Sequence, residues 1–203
     1  MPPAPVTVRP RTAADLPALV GILEAQRPTS GYPVRWPLPF PAEEFIARST
    51  ELSAWVAVDP VREDAVVGHV ALTGVAPGWE ADGWGAGTGL PATAMAAVSV
   101  LFVDPAATGR GVGSTLLATA VDHACALERT PVLDVVSESR RAVALYERHG
   151  WRVVGRARPP WLPADREPLL LMALLPTTPL SRGPPSPRST GLSRKVIGPP
   201  ARG

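Results

Sequence analysis

The sequence predicts a mixed α/β fold, on the evidence of three patterns. An apolar run at 98–103, VSVLFV, has the length and composition of a buried strand, and after DPAAT a helical pattern opens in GRGVGSTLL. Residues 131–159 are typical of a strand, a helix and a second strand in succession. Alternating small and β-branched residues at 53–60 and 64–75 predict a hairpin with its turn at 60–64.

The first fifty residues predict a strand and two helices. Residues 6–12 begin as a strand, and Thr12 with Asp15 forms a capping pattern that opens a helix through 16–26. The prolines that follow forbid a long regular element before a short helix near 42–48.

The other segments complete a domain over 1–175, which is long enough for a substantial core. Residues 76–93, APGWEADGWGAGTGLPAT, predict a glycine-rich loop whose length suggests function or mobility. Residues 151–157 and 168–175 predict a pair of strands that closes the sheet.

The turn before the helix of GRGVGSTLL is the most informative functional feature. Gly109, Gly111 and Gly113 let several backbone N–H groups point toward one place, where the helix adds its positive N-terminal end. The pattern favours a phosphorylated ligand; the alternative is that the glycines only let the helix pack closely on the sheet.

Two other phosphate-binding loops are excluded. A P-loop needs Lys-Ser or Lys-Thr after the last glycine, and here Ser114 follows Gly113 directly. A dinucleotide fingerprint needs a third glycine near Thr115 and an acid that closes the next strand, about 20 residues further on. Asp134 has nearly that separation but lies inside the predicted strand.

Two motifs, in this order, carry a resemblance to a known family. The pair TGRGVGSTLL and SRRAVALYERHGW resembles the acetyl-CoA-binding core of the GCN5-related N-acetyltransferases, the GNAT superfamily, over about Val6 to Leu175. The resemblance implies a largely antiparallel central sheet, split in a V and flanked by helices, with acetyl-CoA as co-substrate.

The resemblance also implies which residues hold that cofactor. Backbone groups of the splayed strand would pair with the pantetheine arm, and the glycine turn would present amides to the pyrophosphate. The implied cofactor-binding residues are Leu101, Phe102, Val103, Thr108, Gly109, Arg110, Gly111, Val112, Gly113, Ser114, Ser139 and Tyr146.

Three of these positions leave alternatives open. Thr108 stands where the family usually has Arg or Gln, so a side-chain phosphate ligand is lost or replaced by a hydroxyl. Ser139 stands where Asn is common, and its hydroxyl can still cap the helix and reach the pantetheine. Arg110 either pairs with a phosphate or is a solvated loop charge.

Tyr146 matches the family's tyrosine whose hydroxyl protonates the departing thiolate; the alternative is a ring that only caps the core. Many relatives carry a glutamate base on the strand before the glycine turn, but AMAAVSVLFV has no carboxylate. Glu80 is the candidate base, with Asp82 and Asp104 as further candidates. Each could instead be a solvated loop charge, and a water chain could replace the base.

The acceptor is expected between the proline-rich segment and the central strands. By resemblance, Tyr32, Arg35 and Trp36 are the substrate contacts, although aromatic residues in such a loop often only pin it to the core. Trp79 and Trp84 are expected to fold over the acceptor. A metal site is not expected, because no second His or Cys lies at ligand spacing from His69.

The segment 176–203 predicts a disordered tail. It is rich in Pro, Ser and Gly and carries five positive charges and no acid, which leaves the rest of the chain with a net charge of −3. So short a basic tail gives at most weak, salt-sensitive binding to nucleic acid, and no basic stripe in the folded part extends it. Nucleic acid is therefore not an expected partner.

A cytoplasmic protein is expected. No apolar run approaches the length of a membrane span, and the start lacks the apolar stretch of a signal peptide. The lone Cys125, expected on the apolar side of the long helix, is consistent with a reducing compartment.

The sequence thus leaves two functional hypotheses. The first is an N-acetyltransferase that moves the acetyl group of acetyl-CoA to a small-molecule or peptide primary amine by direct attack in a ternary complex. The second is a GNAT-like module that binds an acyl-CoA or a protein without turnover. A homodimer agrees with either hypothesis, since dimers are common in the family.

Overall fold

Seven strands form one sheet in the computed structural model of the chain, which describes residues 5–176. The strands are β1 (Thr7–Pro10), β2 (Glu51–Asp59), β3 (Ala65–Gly74), β4 (Met95–Val103), β5 (Thr130–Val135), β6 (Arg152–Ala157) and β7 (Leu169–Ala173). The helices are α1 (Leu16–Ser30), α2 (Ala42–Ile46), α3 (Trp79–Thr88), α4 (Val112–Ala126) and α5 (Arg140–Arg148). The mixed α/β fold is confirmed. The predicted tail lies outside the described residues, Pro176 excepted.

The sheet is antiparallel except at its centre. The strand order is β1-β2-β3-β4-β5-β7-β6, and β4 and β5 are the one parallel pair among the described strands. These two strands pair at 95–97 with 130–132, although β4 continues to Val103 and β5 to Val135. Beyond this short ladder the strands part, which confirms the V-shaped split.

Helices cover both faces of the sheet. Along β2, Ala57 packs in one hydrophobic cluster with Leu116 of α4, whereas Val56 and Val58 pack in another with Leu19 of α1. Because neighbouring strand residues point to opposite faces, α4 and α1 lie on opposite sides of the sheet. The split between β4 and β5 is therefore enclosed between two helical layers.

The prediction of a loop over 76–93 is wrong in its central part, where α3 forms. The glycines that suggested a loop let this helix lie close to the sheet. A Cβ on Gly83 would be 2.3 Å from Cδ1 of Leu171, and a Cβ on Gly87 would be 2.1 Å from the carbonyl oxygen of Val154. Glycine thus permits a close approach that any larger residue would prevent.

Two side chains lie elsewhere than predicted. Trp84 is 1% exposed, and its indole N–H donates a hydrogen bond to the Leu133 carbonyl (3.2 Å), so it is a core residue and does not cover an acceptor. Cys125 is exposed, because its neighbour Ala124 occupies the face of α4 that packs on the sheet.

The replacement Gly87→Ala tests the close packing of α3. We expect a loss of about 1–3 kcal/mol in the free energy of unfolding, because the methyl group forces α3 away from β6. Gly85→Ala, on the same helix, is the matched control: its Cβ would be 3.4 Å from the Leu90 carbonyl oxygen, and we expect unchanged or higher stability. Urea unfolding measures both; equal effects of the two replacements would contradict the account.

Candidate active site

A cavity of about 1410 Å³ opens where β4 and β5 part. Its walls are the second half of β4, the glycine turn with the start of α4, the end of β5, α5, and the segment between α1 and α2. The residues predicted from sequence that line it are Tyr32, Arg35, Glu80, Leu101, Phe102, Val103, Thr108, Gly109, Gly111, Val112, Gly113, Ser114, Ser139 and Tyr146. Trp36 and Arg110 do not line it.

The start of α4 presents unpaired backbone amides to this cavity. Gly109 and Gly111 have φ of 78° and 82°, in the left-handed region that glycine adopts without strain. The N–H of Thr115 makes the first bond of the helix, to the Gly111 carbonyl (3.0 Å). The amides of 112–114 come before that bond and have no acceptor within the helix, so they remain hydrogen-bond donors at its positive end, where anions bind favourably.

Arg110 is held by a buried acid that sequence analysis missed. Its Nη1 is 2.5 Å from Oδ2 of Asp59, which ends β2 and is 1% exposed. The Asp59 carboxylate also accepts a hydrogen bond from the Val61 amide, and the guanidinium of Arg110 holds the pKa of Asp59 below its usual range. Arg110 is thus neither a solvated loop charge nor a wall of the cavity, but ties the glycine turn to β2.

Three hydroxyl groups lie near the cavity. Thr108 donates its proton to the Pro105 carbonyl (2.8 Å), so that proton is not available to a phosphate. Ser139 is the N-cap residue of α5, and its carbonyl accepts hydrogen bonds from the amides of 142–143. Its side chain makes no capping hydrogen bond, so the predicted hydroxyl cap is wrong. Ser99 lines the same cavity, and its buried Oγ has no hydrogen-bond partner among the described residues.

A bulge distorts β4 where this strand lines the cavity. His69 of β3 lies opposite Phe102 and Ala71 lies opposite Ser99, so one residue of β3 faces two of β4. Val100, inside the bulge, has φ of 51°, a conformation that costs a β-branched residue of order 1–3 kcal/mol. The surrounding structure must therefore hold this segment in place.

Tyr146 belongs both to the core and to the cavity wall. It is 8% exposed, and its ring packs against Trp151 with the ring centroids 5.9 Å apart. Burial, together with nearby Tyr32 and Asp134, raises the pKa of the Tyr146 phenol, which therefore stays protonated at neutral pH. The ring of Tyr146 therefore packs in the core, and the role of its hydroxyl in proton transfer stays a prediction.

Glu80 and Asp134 bring two carboxyl groups into the cavity. Glu80 lies in the first turn of α3, and burial and the charge of Asp134 raise its pKa to about 7, against the opposing effect of Arg48. Asp134 lies on β5 between the buried Leu133 and Val135, so it points to the other face, toward the cavity. Water reaches the Asp134 carboxyl group through the cavity, while protein surrounds the group on its other sides. This burial raises the pKa of Asp134.

The other two acids considered from sequence are placed differently. Asp104 pairs with Arg62 (3.2 Å) and accepts a hydrogen bond from the Ala106 amide, so it stabilises the loop after β4. Asp82, two residues beyond Glu80, does not line the cavity. Of the three candidate bases, Glu80 is the one that the fold brings to the cavity.

The predicted acceptor segment contributes two of its three residues to the cavity. The ring of Tyr32 packs against Phe45 with centroids 5.7 Å apart and still lines the cavity, as does the exposed Arg35. Trp36 lies under the guanidinium of Arg27, 5.5 Å from it, and packs against the core beside α1. Trp36 therefore pins the segment to the core.

Within residues 5–176, no group of three or more His, Cys, Asp or Glu side chains is arranged to hold a metal ion. No helix in this part of the chain combines the length and the apolar character that crossing a membrane requires.

Comparison of the sequence with known protein families shows the family to which the chain belongs. The acetyltransferase (GNAT) family matches residues 19–151, and the chain belongs to this family of acetyltransferases, whose co-substrate is acetyl-CoA. The site fits that molecule: the amides at the start of α4 suit its pyrophosphate, and the edge of β4 that has left β5 suits its polar arm. No curated protein matches the chain significantly.

Solved structures of acetyltransferases share the fold. A histone acetyltransferase HPA2-related protein from Corynebacterium glutamicum is 24% identical, with TM-score 0.61 over 87% of this chain and 99% of its own. The ribosomal-protein-S18-alanine N-acetyltransferase of Escherichia coli is 20% identical, with TM-score 0.57 over 83% and 92%. NAA60 of Arabidopsis thaliana, solved in complex with acetyl-CoA, is 18% identical, with TM-score 0.61 over 83% and 98%.

The replacement Asp59→Asn tests the link between β2 and the glycine turn. We expect about tenfold weaker binding of CoA, because the turn loses a charge-assisted bond that fixes its amides. Arg62→Gln is the control, since its ion pair with Asp104 lies on the surface and contributes little. Isothermal titration of the folded proteins gives both dissociation constants; equal affinities would show that the pair does not position the turn.

Proposed function

We propose that the protein transfers the acetyl group of acetyl-CoA to a primary amine by direct attack in a ternary complex, with no covalent enzyme intermediate. The observation that carries the proposal is the cavity itself. It brings the free amides of α4 into one space with Tyr146, Glu80 and Asp134. Binding groups for the phosphates and groups for moving protons therefore lie in the walls of one site.

The α4 end of the cavity supports binding of the nucleotide part. The amides of 112–114 would bind the pyrophosphate, with a contribution from the helix end of about 0.3–1 kcal/mol. Arg140 and Arg141, at the start of α5, line the same cavity and offer charge to the phosphates. The edge of β4 that faces the split would pair with the amide groups of the pantetheine arm.

Glu80 would act as the general base. An amine is mostly protonated at neutral pH and must lose a proton before it attacks the thioester. A carboxyl group whose pKa is about 7 is partly ionised near neutrality and accepts that proton more readily than an ordinary carboxylate. The charge of Asp134 would attract the ammonium form of the acceptor into the same region.

Tyr146 would supply the proton at the other end of the reaction. As the new C–N bond forms and the C–S bond breaks, the phenol donates its proton to the departing sulfur. Burial raises the pKa of the phenol, which keeps the proton in place, and the same dry surroundings make the thiolate a stronger base. A backbone amide of β4 near Val103 would polarise the thioester carbonyl.

The acceptor would be a cationic amine with an apolar part. Glu80 and Asp134 provide negative charge, while Phe40 and Trp161, 44% and 41% exposed, offer apolar surface in the cavity wall. Either a small molecule or a peptide end meets this description. Similarity to an enzyme named for a ribosomal-protein alanine favours including peptides among the acceptors tested.

The second candidate function is binding of an acyl-CoA without turnover. Thr108 favours it, because its hydroxyl proton is bonded to Pro105 and because this position lacks the arginine or glutamine that the family usually has there. A thiol-release assay with acetyl-CoA and a panel of amines and peptides separates the two functions. Release that depends on an amine supports the enzyme, and binding of acetyl-CoA with no release supports the binding module.

The replacement Tyr146→Phe tests the proton donor. We expect kcat to fall about 10²- to 10⁴-fold, while the KM for acetyl-CoA changes little because the ring still packs on Trp151. Tyr32→Phe is the comparison, since Tyr32 is the other tyrosine of the chain and lies on the acceptor side. Loss of the Tyr32 hydroxyl should change the KM for the amine. An undiminished kcat in Tyr146→Phe would exclude the role of Tyr146 as proton donor.

The dependence of kcat/KM on pH tests Glu80. With a pKa near 7, the carboxyl is protonated below that pH and cannot accept a proton, so kcat/KM should rise as pH increases through about 7. Glu80→Gln should remove this rise and lower the rate about 10²- to 10⁴-fold. Asp82→Asn, two residues away and outside the cavity, should retain the wild-type profile. A rise that persists in Glu80→Gln would assign the base elsewhere.

A further inference from the structure

His69, in the middle of β3, is a buried histidine that the reaction above does not use. It is 0% exposed, and its Nδ1 lies 2.9 Å from the carbonyl oxygen of Val100. Its Nε2 lies 3.2 Å from Nη1 of Arg11. Arg11 is itself fixed by the Ile46 carbonyl (3.1 Å) and by the Glu51 carboxylate (2.8 Å). The imidazole is thus held on both sides.

The partners of the imidazole determine which nitrogen carries the proton. A guanidinium only donates hydrogen bonds, so Nε2 of His69 must accept from Arg11. A carbonyl only accepts, so Nδ1 must donate to Val100. Burial lowers the pKa of His69 to about 4, and the charge of Arg11 acts in the same direction. The ring is therefore neutral at physiological pH, in the form that donates from Nδ1.

The hydrogen bond to Val100 sets the orientation of a strained peptide. Val100 is the residue with φ of 51° in the bulge of β4. In a trans peptide the carbonyl and the following N–H point in opposite directions, so the Leu101 amide points away from His69. Phe102, whose ring lies 5.5 Å from the imidazole, packs on the α1 side, whereas Leu101 packs with the α4 cluster; both residues line the cavity.

We propose that His69 is a positioning residue, which holds the Val100 carbonyl so that the Leu101 amide faces the acyl and pantetheine end of acetyl-CoA. The inference rests on the proposed function, since its ligand is the cofactor of that site. A valine does not keep a left-handed backbone by itself. Arg11 and Glu51, which are partly buried, extend the support, so a chain of paired polar groups leads from β2 through His69 to the bulge.

Three replacements of His69 separate this role from simple packing. His69→Asn keeps a donor at the place of Nδ1, His69→Gln places its polar group near that of Nε2, and His69→Phe has neither. Binding of acetyl-CoA is compared with binding of 3′-phosphoadenosine 5′-diphosphate, the fragment that keeps the pyrophosphate and lacks the pantetheine arm. We expect the Gln and Phe variants to bind acetyl-CoA about tenfold more weakly, the Asn variant to recover most of this loss, and the fragment to bind all variants equally.

Two results would overturn the proposal: equal acetyl-CoA affinity in wild type and all three variants, or parallel losses for acetyl-CoA and the fragment. If a variant does not fold, ¹⁵N NMR of histidine-labelled wild type decides. The role of His69 is supported if its Nδ1 is protonated and the Nδ1 resonance shifts on addition of acetyl-CoA but not of the fragment. Any other result excludes the role. Wild type that binds acetyl-CoA without acetylating any amine contradicts the proposed function alone, because these readouts require no turnover.

Discussion

The separation of β4 from β5 is the constraint on which the rest of the structure depends. Backbone groups in a protein interior need hydrogen-bond partners, and a strand that leaves its neighbour loses half of them. Here β4 keeps β3 on one side while its other edge faces the cavity. A ligand with its own amide groups can complete that edge as a further strand would, which is why an extended polar arm suits the site.

The open edge is useful only if the backbone around it is rigid. Two buried polar contacts from outside the cavity meet this need. Asp59 at the end of β2 binds Arg110 in the glycine turn, and His69 of β3 binds the carbonyl of Val100 in the bulge. The strands on one side of the split thus hold both backbone segments of the proposed cofactor site, while α3 and α5 carry Glu80 and Tyr146, the residues proposed for proton transfer.

The sequence predicted the elements whose signals are local. Alternating residues located β2 and β3, an apolar run located the second part of β4, and the glycine turn located the start of α4. α3 was missed because its glycines weaken a helix in isolation, and the contacts of Gly83 and Gly87 with distant strands are what place it. The link from Asp59 to Arg110 joins residues far apart in sequence, and Asp134 looks like an ordinary strand position until the split exposes it to the cavity.

Amide hydrogen exchange along β4 tests the central claim most directly. Exchange at 99–103 and 112–114 would be measured in the free protein, with saturating acetyl-CoA, and with saturating 3′-phosphoadenosine 5′-diphosphate. We expect acetyl-CoA to slow exchange in both segments, and the fragment without the pantetheine arm to slow it only at 112–114. Saturation with acetyl-CoA that leaves the β4 amides exchanging as in the free protein would contradict the claim that the open strand edge binds the cofactor.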